Sequence, residues 1–310
     1  MKVSTYFLEW LEGKRPDLQR STYEAYVIYI TRHIAPYFDD LGKELEELKP
    51  LDIKAYVTYK RTGGRKDGKT GGLSSVSVRK HLNVIKQALR EAVLYGILPQ
   101  SPADPVRVPK APSVSTHAQF ISLEQARDII AALQGHPLHD VVYTTLYYGL
   151  RRSEVLGLKW SAVDFERNTL TICHTVVKAS TIEAKDRTKT ESSRRTFPLL
   201  PEVKALLQAR KAQQAIESPY IFTDDKGVLF RPDYVTRGFQ RAIKAKGLPV
   251  IRFHDLRHAT ATILFDMGWS VKDVQHWLGH TDIETTMNIY VAYGRGRQIA
   301  LGGSLAGLLG

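Results

Sequence analysis

The sequence holds a single cysteine, Cys173, and only 3 methionines. One thiol can close no intrachain disulfide and can assemble no cysteine zinc cluster, so the chain must rely on core packing and fits a reducing compartment. Long apolar runs are missing too. No stretch reaches the ~20 residues that cross a bilayer, and the opening residues carry no signal-peptide pattern; the expectation is a cytoplasmic protein with no membrane partner. The tail "IALGGSLAGLLG" is apolar but short and Gly-rich, a loose end or docking segment rather than an anchor.

Acidic residues are the other deficit. Lys and Arg number 44 against 32 Asp and Glu, which leaves a net charge of +12 and a pI near 9.6. Such a balance fits a polyanionic partner. The excess is uneven: residues 1–49 carry 7 basic and 9 acidic groups, whereas residues 50–112 carry 12 basic and 4 acidic.

A length of 310 residues predicts two domains, each burying its own core. The proline-rich, aperiodic run "LPQSPADPVRVPKAPSVSTHAQ" separates them. The expected partition is a helical domain over 1–108, a linker over 109–118, a second domain over 119–292 and a tail over 293–310. In the first domain "RSTYEAYVIYITRHIAPYF" reads as one helix capped at Ser21 or Thr22. "LSSVSVRKHLNVIKQALREAVLYG" is the most regular helix, with Val78, Leu82, Ile85, Leu89 and Val93 on a core face. Arg79, Asn83, Lys86 and Arg90 share another face. Solvation alone could explain that stripe, but the neighbouring loop adds Arg61, Arg65, Lys66 and Lys69, and together these eight residues form the expected DNA-facing surface.

That loop also contains "GGRKDGKT", which fits the G-x-x-x-x-G-K-[ST] pattern of nucleotide-phosphate loops. The mechanism requires a strand leading in and a helix starting directly after. Here the lead-in "DIKAYVTYKR" is amphipathic at helical spacing, and Gly71-Gly72 follow. A flexible basic hairpin is the better reading.

The second domain opens on a capping box, Ser122 with Gln125, and Gly135 is the expected stop of that helix. "NTLTICHTVV" and "SRRTFPLL" alternate like strands of a small antiparallel sheet. Helices are expected at about 201–215, 232–246, 255–267, 271–278 and 283–292. Within them "IRFHDLRHATA" raises two readings. His254 and His258 at i and i+4 resemble the spacing of a zinc-protease helix, whereas His254 and Arg257 at i and i+3 suit a phosphate. Arg257 would repel zinc, and Asp255 stands where that motif has Glu, so the phosphate reading is preferred. Arg151 follows a Gly helix stop with Glu154 one turn on, Lys189 lies on or beside a strand with Lys185 near, and "VQHWLGH" ends in His280. Tyr290 follows ten residues later, sharing a helical face with Ile283 and Met287, so a core tyrosine is its ordinary alternative.

Each element is weak alone. In this order — Arg, Lys on a hairpin, H-x-x-R, L-G-H, then Tyr — the chain resembles the tyrosine recombinase (phage integrase) family over about 120–292, and the preceding helices resemble that family's core-binding domain by composition and position. The resemblance implies a mainly α fold: a helical core-binding domain joined to a mostly α catalytic domain with a small antiparallel sheet. It also implies an active site of Arg151, Lys189, His254, Arg257, His280 and Tyr290. DNA would be cleaved and rejoined through a 3′-phosphotyrosyl link, with no cofactor, metal or ATP. The implied partners are double-stranded DNA, a homotetramer on two duplexes and accessory DNA-bending proteins. The alternatives are a type IB topoisomerase-like relaxing enzyme and a non-cleaving DNA-binding protein. The core-binding helices begin almost at Met1, where many integrases carry a further small domain, so recognition of distant arm sites is not implied. Tyr293 is a rival nucleophile that the spacing disfavours.

Overall fold

The computed structural model describes residues 1–109, 121–178, 182–185 and 194–294, with the backbone alone for 177–178 and 182–185. Two compact units divide the chain, Met1–Ser115 and Thr116–Gly310. Lys189, nearly all of the expected linker and the last residues of the tail lie outside the described residues.

The first unit comprises α1 (Val3–Gly13), α2 (Arg20–Tyr29), α3 (Ala35–Leu41), α4 (Pro50–Thr62) and α5 (Ser75–Leu94). The expected cap at Ser21 or Thr22 is not found. The Gln19 carbonyl accepts the Thr22 and Tyr23 N–H groups at 2.8 and 2.9 Å, so Ser21 and Thr22 lie inside the helix. From α2 the chain passes through a π turn, Ile30–Ile34, into α3. Pro36 explains this widening: it has no N–H for the Arg32 carbonyl, and its ring crowds that turn.

α5 is capped by Ser74, whose Oγ accepts the Ser77 N–H at 3.2 Å. Val78, Leu82, Ile85 and Leu89 are buried, as are His81, Val84, Ala88 and Ala92, while Val93 packs at the edge of a core built around Phe7, Ile34, Phe38 and Tyr56. After α4 the loop folds back on the helix end, with Leu73 N–H donating to the Lys60 carbonyl at 2.7 Å. Gly72 lies so close that a Cβ there would fall 1.8 Å from the Arg61 carbonyl oxygen. A helix therefore leads into residues 63–70, which is not the strand that a phosphate loop requires.

In the second unit α6 (Leu123–Ala132) starts at the predicted Ser122–Gln125 box. It ends at Ala132, earlier than expected, and Gly135 takes φ +78° in the turn beyond. α7 (His139–Tyr148) and α8 (Arg152–Leu156) meet at Gly149, which takes φ +61°. Next come β1 (Val163–Asp164), β2 (Thr169–Ile172), β3 (Thr175–Lys178), β4 (Ile182–Lys185) and β5 (Arg195–Pro198). β1, β2 and β5 make the small antiparallel sheet, with Leu170 opposite Phe197 and Ile172 opposite Arg195. β3 and β4 form a separate antiparallel ribbon.

Helices complete the unit: α9 (Pro201–Gln213), α10 (Pro232–Ala245), α11 (Asp255–Asp266), α12 (Val271–Leu278) and α13 (283–294). The main core gathers Val142, Leu156, Leu170, Phe197, Phe222, Phe239 and Leu256. A smaller cluster of Leu264, Phe265, Val274, Leu278 and Ile289 joins α11, α12 and α13. The mainly helical architecture with a small antiparallel sheet is the one the sequence implied. Among the described residues no helix is long and apolar enough to cross a membrane.

Candidate active site

Two glycine-terminated helix ends build the site. Helix C-termini leave carbonyls without intrahelical partners and carry partial negative charge. At the end of α12, Gly279 takes φ +66° and its N–H bonds back to the Gln275 and His276 carbonyls. The next three carbonyls each accept a guanidinium. Arg195 Nε donates to Trp277 at 3.2 Å, Arg257 Nη2 to Leu278 at 2.7 Å and Arg151 Nη2 to Gly279 at 2.9 Å. At the end of α7 the Gly149 carbonyl accepts Arg257 Nη1 at 2.6 Å. Three cations thus converge from α8, β5 and α11.

Glu154 is their counter-charge, and it is buried at 1% exposure. Its backbone neighbourhood is a helix start, where its Oε2 accepts the Arg151 N–H at 2.8 Å. Oε1 accepts Arg151 Nη1 at 2.6 Å and Arg195 Nη1 at 3.2 Å, while Oε2 accepts Arg195 Nη2 at 2.8 Å. Arg257 Nη1 lies 3.9 Å from Oε2. Burial raises the Glu154 pKa, but hydrogen bonding and charge from Arg195, then Arg151 and Arg257, more than offset it and hold it at about 2. Burial and the like charge of Arg151 push Arg257 down to about 9, still cationic at neutral pH.

The histidines stand beside the arginines. His254 precedes α11, and Asp255 secures that helix start by accepting the Arg252 N–H at 2.8 Å and Arg252 Nη2 at 2.7 Å. Loss of water, together with His258 and Arg257, pulls His254 down to about 4. Its ring meets His258 edge to face, with centroids 5.0 Å apart. His280 follows Gly279, and its Nδ1 lies 2.7 Å from Thr286 Oγ1 on α13. Burial, then Arg257 and Arg151, lower His280 to about 3.

α13 corrects one reading. Ile283, Met287 and Tyr290 do share a face, but it is the exposed one, at 47%, 42% and 46%. Thr286 and Ile289 make the buried face instead. Tyr290 is therefore not a core tyrosine; its ring meets Phe265 edge-on at 5.1 Å, and among the described residues no hydrogen bond ties its hydroxyl to the arginines. The Tyr293 hydroxyl donates to Asp266.

Four of the six expected catalytic residues, Arg151, His254, Arg257 and His280, are thus brought together. Arg195 and Thr286 were not singled out by spacing. Arg195 stands two residues from the buried Phe197 on one strand, so the alternation did carry a signal for it. Of the expected DNA-facing residues Arg61, Lys66, Lys69, Arg79, Asn83 and Arg90 are exposed. Arg65 is tied within its loop to Asp67 at 2.5 and 2.8 Å and to the Gly72 carbonyl at 3.2 Å. Lys86 donates to the Asp104 carbonyl at 3.1 Å and Arg90 to the Asp104 carboxylate at 2.8 Å.

Guanidiniums and imidazoles gathered at helix ends in one unit of a two-unit, mostly helical protein are groups that can hold a phosphate ester. Residues 119–295 match the phage integrase family and residues 2–60 its N-terminal SAM-like domain. The chain belongs to the phage integrase family, the tyrosine recombinases, enzymes that cleave and rejoin DNA. It is 29% identical over 275 residues to a "Tyrosine recombinase XerC-like" protein of Caldanaerobacter subterraneus subsp. tengcongensis, covering 80% of this chain and 68% of that one. The fold is similar to that of the Tn1549 transposon integrase in complex with transposon right end DNA, with TM-score 0.76, 21% identity and coverage of 97% of this chain and 100% of that one. It is also similar to a lambda integrase tetramer bound to a Holliday junction, with TM-score 0.66, 19% identity and coverage of 91% and 78%.

Proposed function

We propose that Arg151 and Arg257 grip the non-bridging oxygens of a DNA phosphodiester while Tyr290 attacks the phosphorus. The observation that carries this reading is the charge count: three guanidiniums converge around one carboxylate. Among these four described residues the surplus is two positive charges. A phosphodiester brings one negative charge and develops a second in its five-coordinate transition state, so the site matches the transition state better than the ground state. Guanidiniums suit the task because they stay charged and donate in a fixed fork.

A tyrosine with an ordinary pKa near 10 costs about 4 kcal/mol to ionise at pH 7. His254, neutral at that pH, acts as the base, and nearby cations offset the rest. His280 donates a hydrogen bond to a phosphate oxygen. Lys189 protonates the leaving 5′ oxygen, giving a 3′-phosphotyrosyl link and a 5′ hydroxyl. The link keeps the ester's energy, so a second 5′ hydroxyl rejoins the strand without ATP.

Double-stranded DNA is held also by Arg61, Lys66, Lys69, Arg79 and Asn83, with Arg65, Lys86 and Arg90 contributing from positions already bonded within the protein. The integrase family match favours recombination over topoisomerase-like relaxation or non-cleaving binding. Likeness to the lambda tetramer supports a homotetramer on two duplexes. Accessory DNA-bending proteins and a cytoplasmic setting complete the reading.

Trapping on a randomised library of nicked suicide duplexes tests it. Wild type should leave protein on a 3′ phosphate, Tyr290→Phe should bind DNA without an adduct, and Tyr293→Phe should keep forming one. An adduct that survives Tyr290→Phe would refute the assignment.

A further inference from the structure

We propose that Arg195 is a positioning residue for cleavage: acting through Glu154, and anchored on the end of α12, it holds Arg151 where the phosphate is gripped. The proposal rests on the reading of Arg151 as a phosphate ligand. Arg195 contributes two bonds to the Glu154 carboxylate, Nη1 to Oε1 at 3.2 Å and Nη2 to Oε2 at 2.8 Å. Arg151 Nη1 and its own backbone N–H use the same two oxygens. With side-chain exposures of 8% for Arg195 and 2% for Glu154, the pair is nearly closed to water, whereas Arg151 is 33% exposed.

The anchoring is equally specific. Trp277, Leu278 and Gly279 offer successive carbonyls to Arg195, Arg257 and Arg151. Two of these arginines are the proposed phosphate ligands. The third completes the row, and its guanidinium also lies over the Phe197 ring, 5.3 Å from the centroid. Gly279 permits this arrangement, because a Cβ there would fall 3.1 Å from Arg195 Nη1 at a backbone φ of +66°. A displaced Glu154 would leave Arg151 with one carbonyl to define its orientation. Arg195 thus ties strand β5 to the α8 helix start and to Trp277 at the end of α12, three residues before His280.

An orienting residue differs from a merely structural one in whose work its loss undoes. Adduct formation is measured on a nicked suicide duplex that the wild-type chain selects from a randomised pool. Arg151→Ala should slow it about 10²- to 10³-fold, the usual cost of one preorganised oxyanion donor. Arg195→Gln should slow it roughly 10- to 100-fold while binding of the same duplex changes less than about threefold, and should cost under about threefold when Arg151 is already Ala. Its rate should also fall in mild acid where wild type is level, because Arg195 is the main group holding Glu154 anionic against burial. If Arg195→Gln does not fold, Arg195→Lys is used, with the same expected loss of effect in the Arg151→Ala background. Equal costs in both backgrounds would overturn the positioning role. Unimpaired cleavage by Arg151→Ala would instead overturn the phosphate-ligand reading on which the proposal stands.

Discussion

The hydroxyl of Thr286, wholly buried, lies 2.7 Å from His280 Nδ1. A buried hydroxyl must donate somewhere, and among the described residues Nδ1 is its only partner. The ring then carries its proton on Nε2, as the proposed bond to a phosphate oxygen requires. Thr286→Val keeps the volume but releases the tautomer, so adduct formation should slow roughly tenfold, less than the ~10²- to 10⁴-fold cost of losing a positioned acid or base outright, because the ring itself remains. Thr286→Ser should remain near wild type. A wild-type rate in Thr286→Val would show that this hydroxyl does not set the ring.

The pH dependence follows from the depressed imidazoles. His254 at about 4 and His280 at about 3 are both below the ordinary 6.5, so each is neutral in the folded protein through the window in which an unfolded imidazole protonates. The unfolded chain therefore binds more protons between about pH 6.5 and 4, and stability should fall as pH falls across that window. The acid limb of kcat/KM should lie near pH 4 rather than 6.5. Melting curves from pH 7 to 4 on wild type and on a His254→Asn, His280→Asn double variant check the first point; equal slopes would contradict it.

DNA binding should weaken steeply with salt, because neutralised phosphates release counterions. Arg79 is exposed on α5 with no bonding partner among the described residues, so Arg79→Ala should flatten the log–log salt slope by about one. Arg90→Ala should flatten it less, since that guanidinium already pairs with Asp104. An unchanged slope for Arg79→Ala would move the DNA-facing surface off this helix face.

Lys189 as general acid makes a substrate-specific prediction. An alkoxide leaving group needs a proton, whereas a thiolate with pKa near 8.5 largely does not. Lys189→Ala should cleave ordinary DNA poorly yet recover on DNA with sulfur at the bridging 5′ position. Arg151→Ala should not recover, since the role proposed for its charge is on the non-bridging oxygens. Rescue of Lys185→Ala instead of Lys189→Ala would assign the acid to Lys185.

What the sequence determined by itself is local. Ser122 with Gln125 and the glycine at 149 mark helix ends through a cap and a left-handed turn that involve only neighbours in the chain, and those ends are where the structure has them. The resemblance in motif order likewise named the two arginines and two histidines that the fold brings together, because residue order survives without knowledge of packing. The limits of local rules show at α2, where Ser21 and Thr22 fit a cap but Gln19 provides the helix start. On α13 periodicity found the Ile283–Met287–Tyr290 face correctly and could not tell which way it points; packing of Ile289 against Phe265 and Leu278 turns it outward. Arg195 is the clearest case. It is 41 residues from Glu154 and 82 from Trp277 in sequence, and only the folded chain brings β5, α8 and the end of α12 to one carboxylate, where burial makes each charge matter.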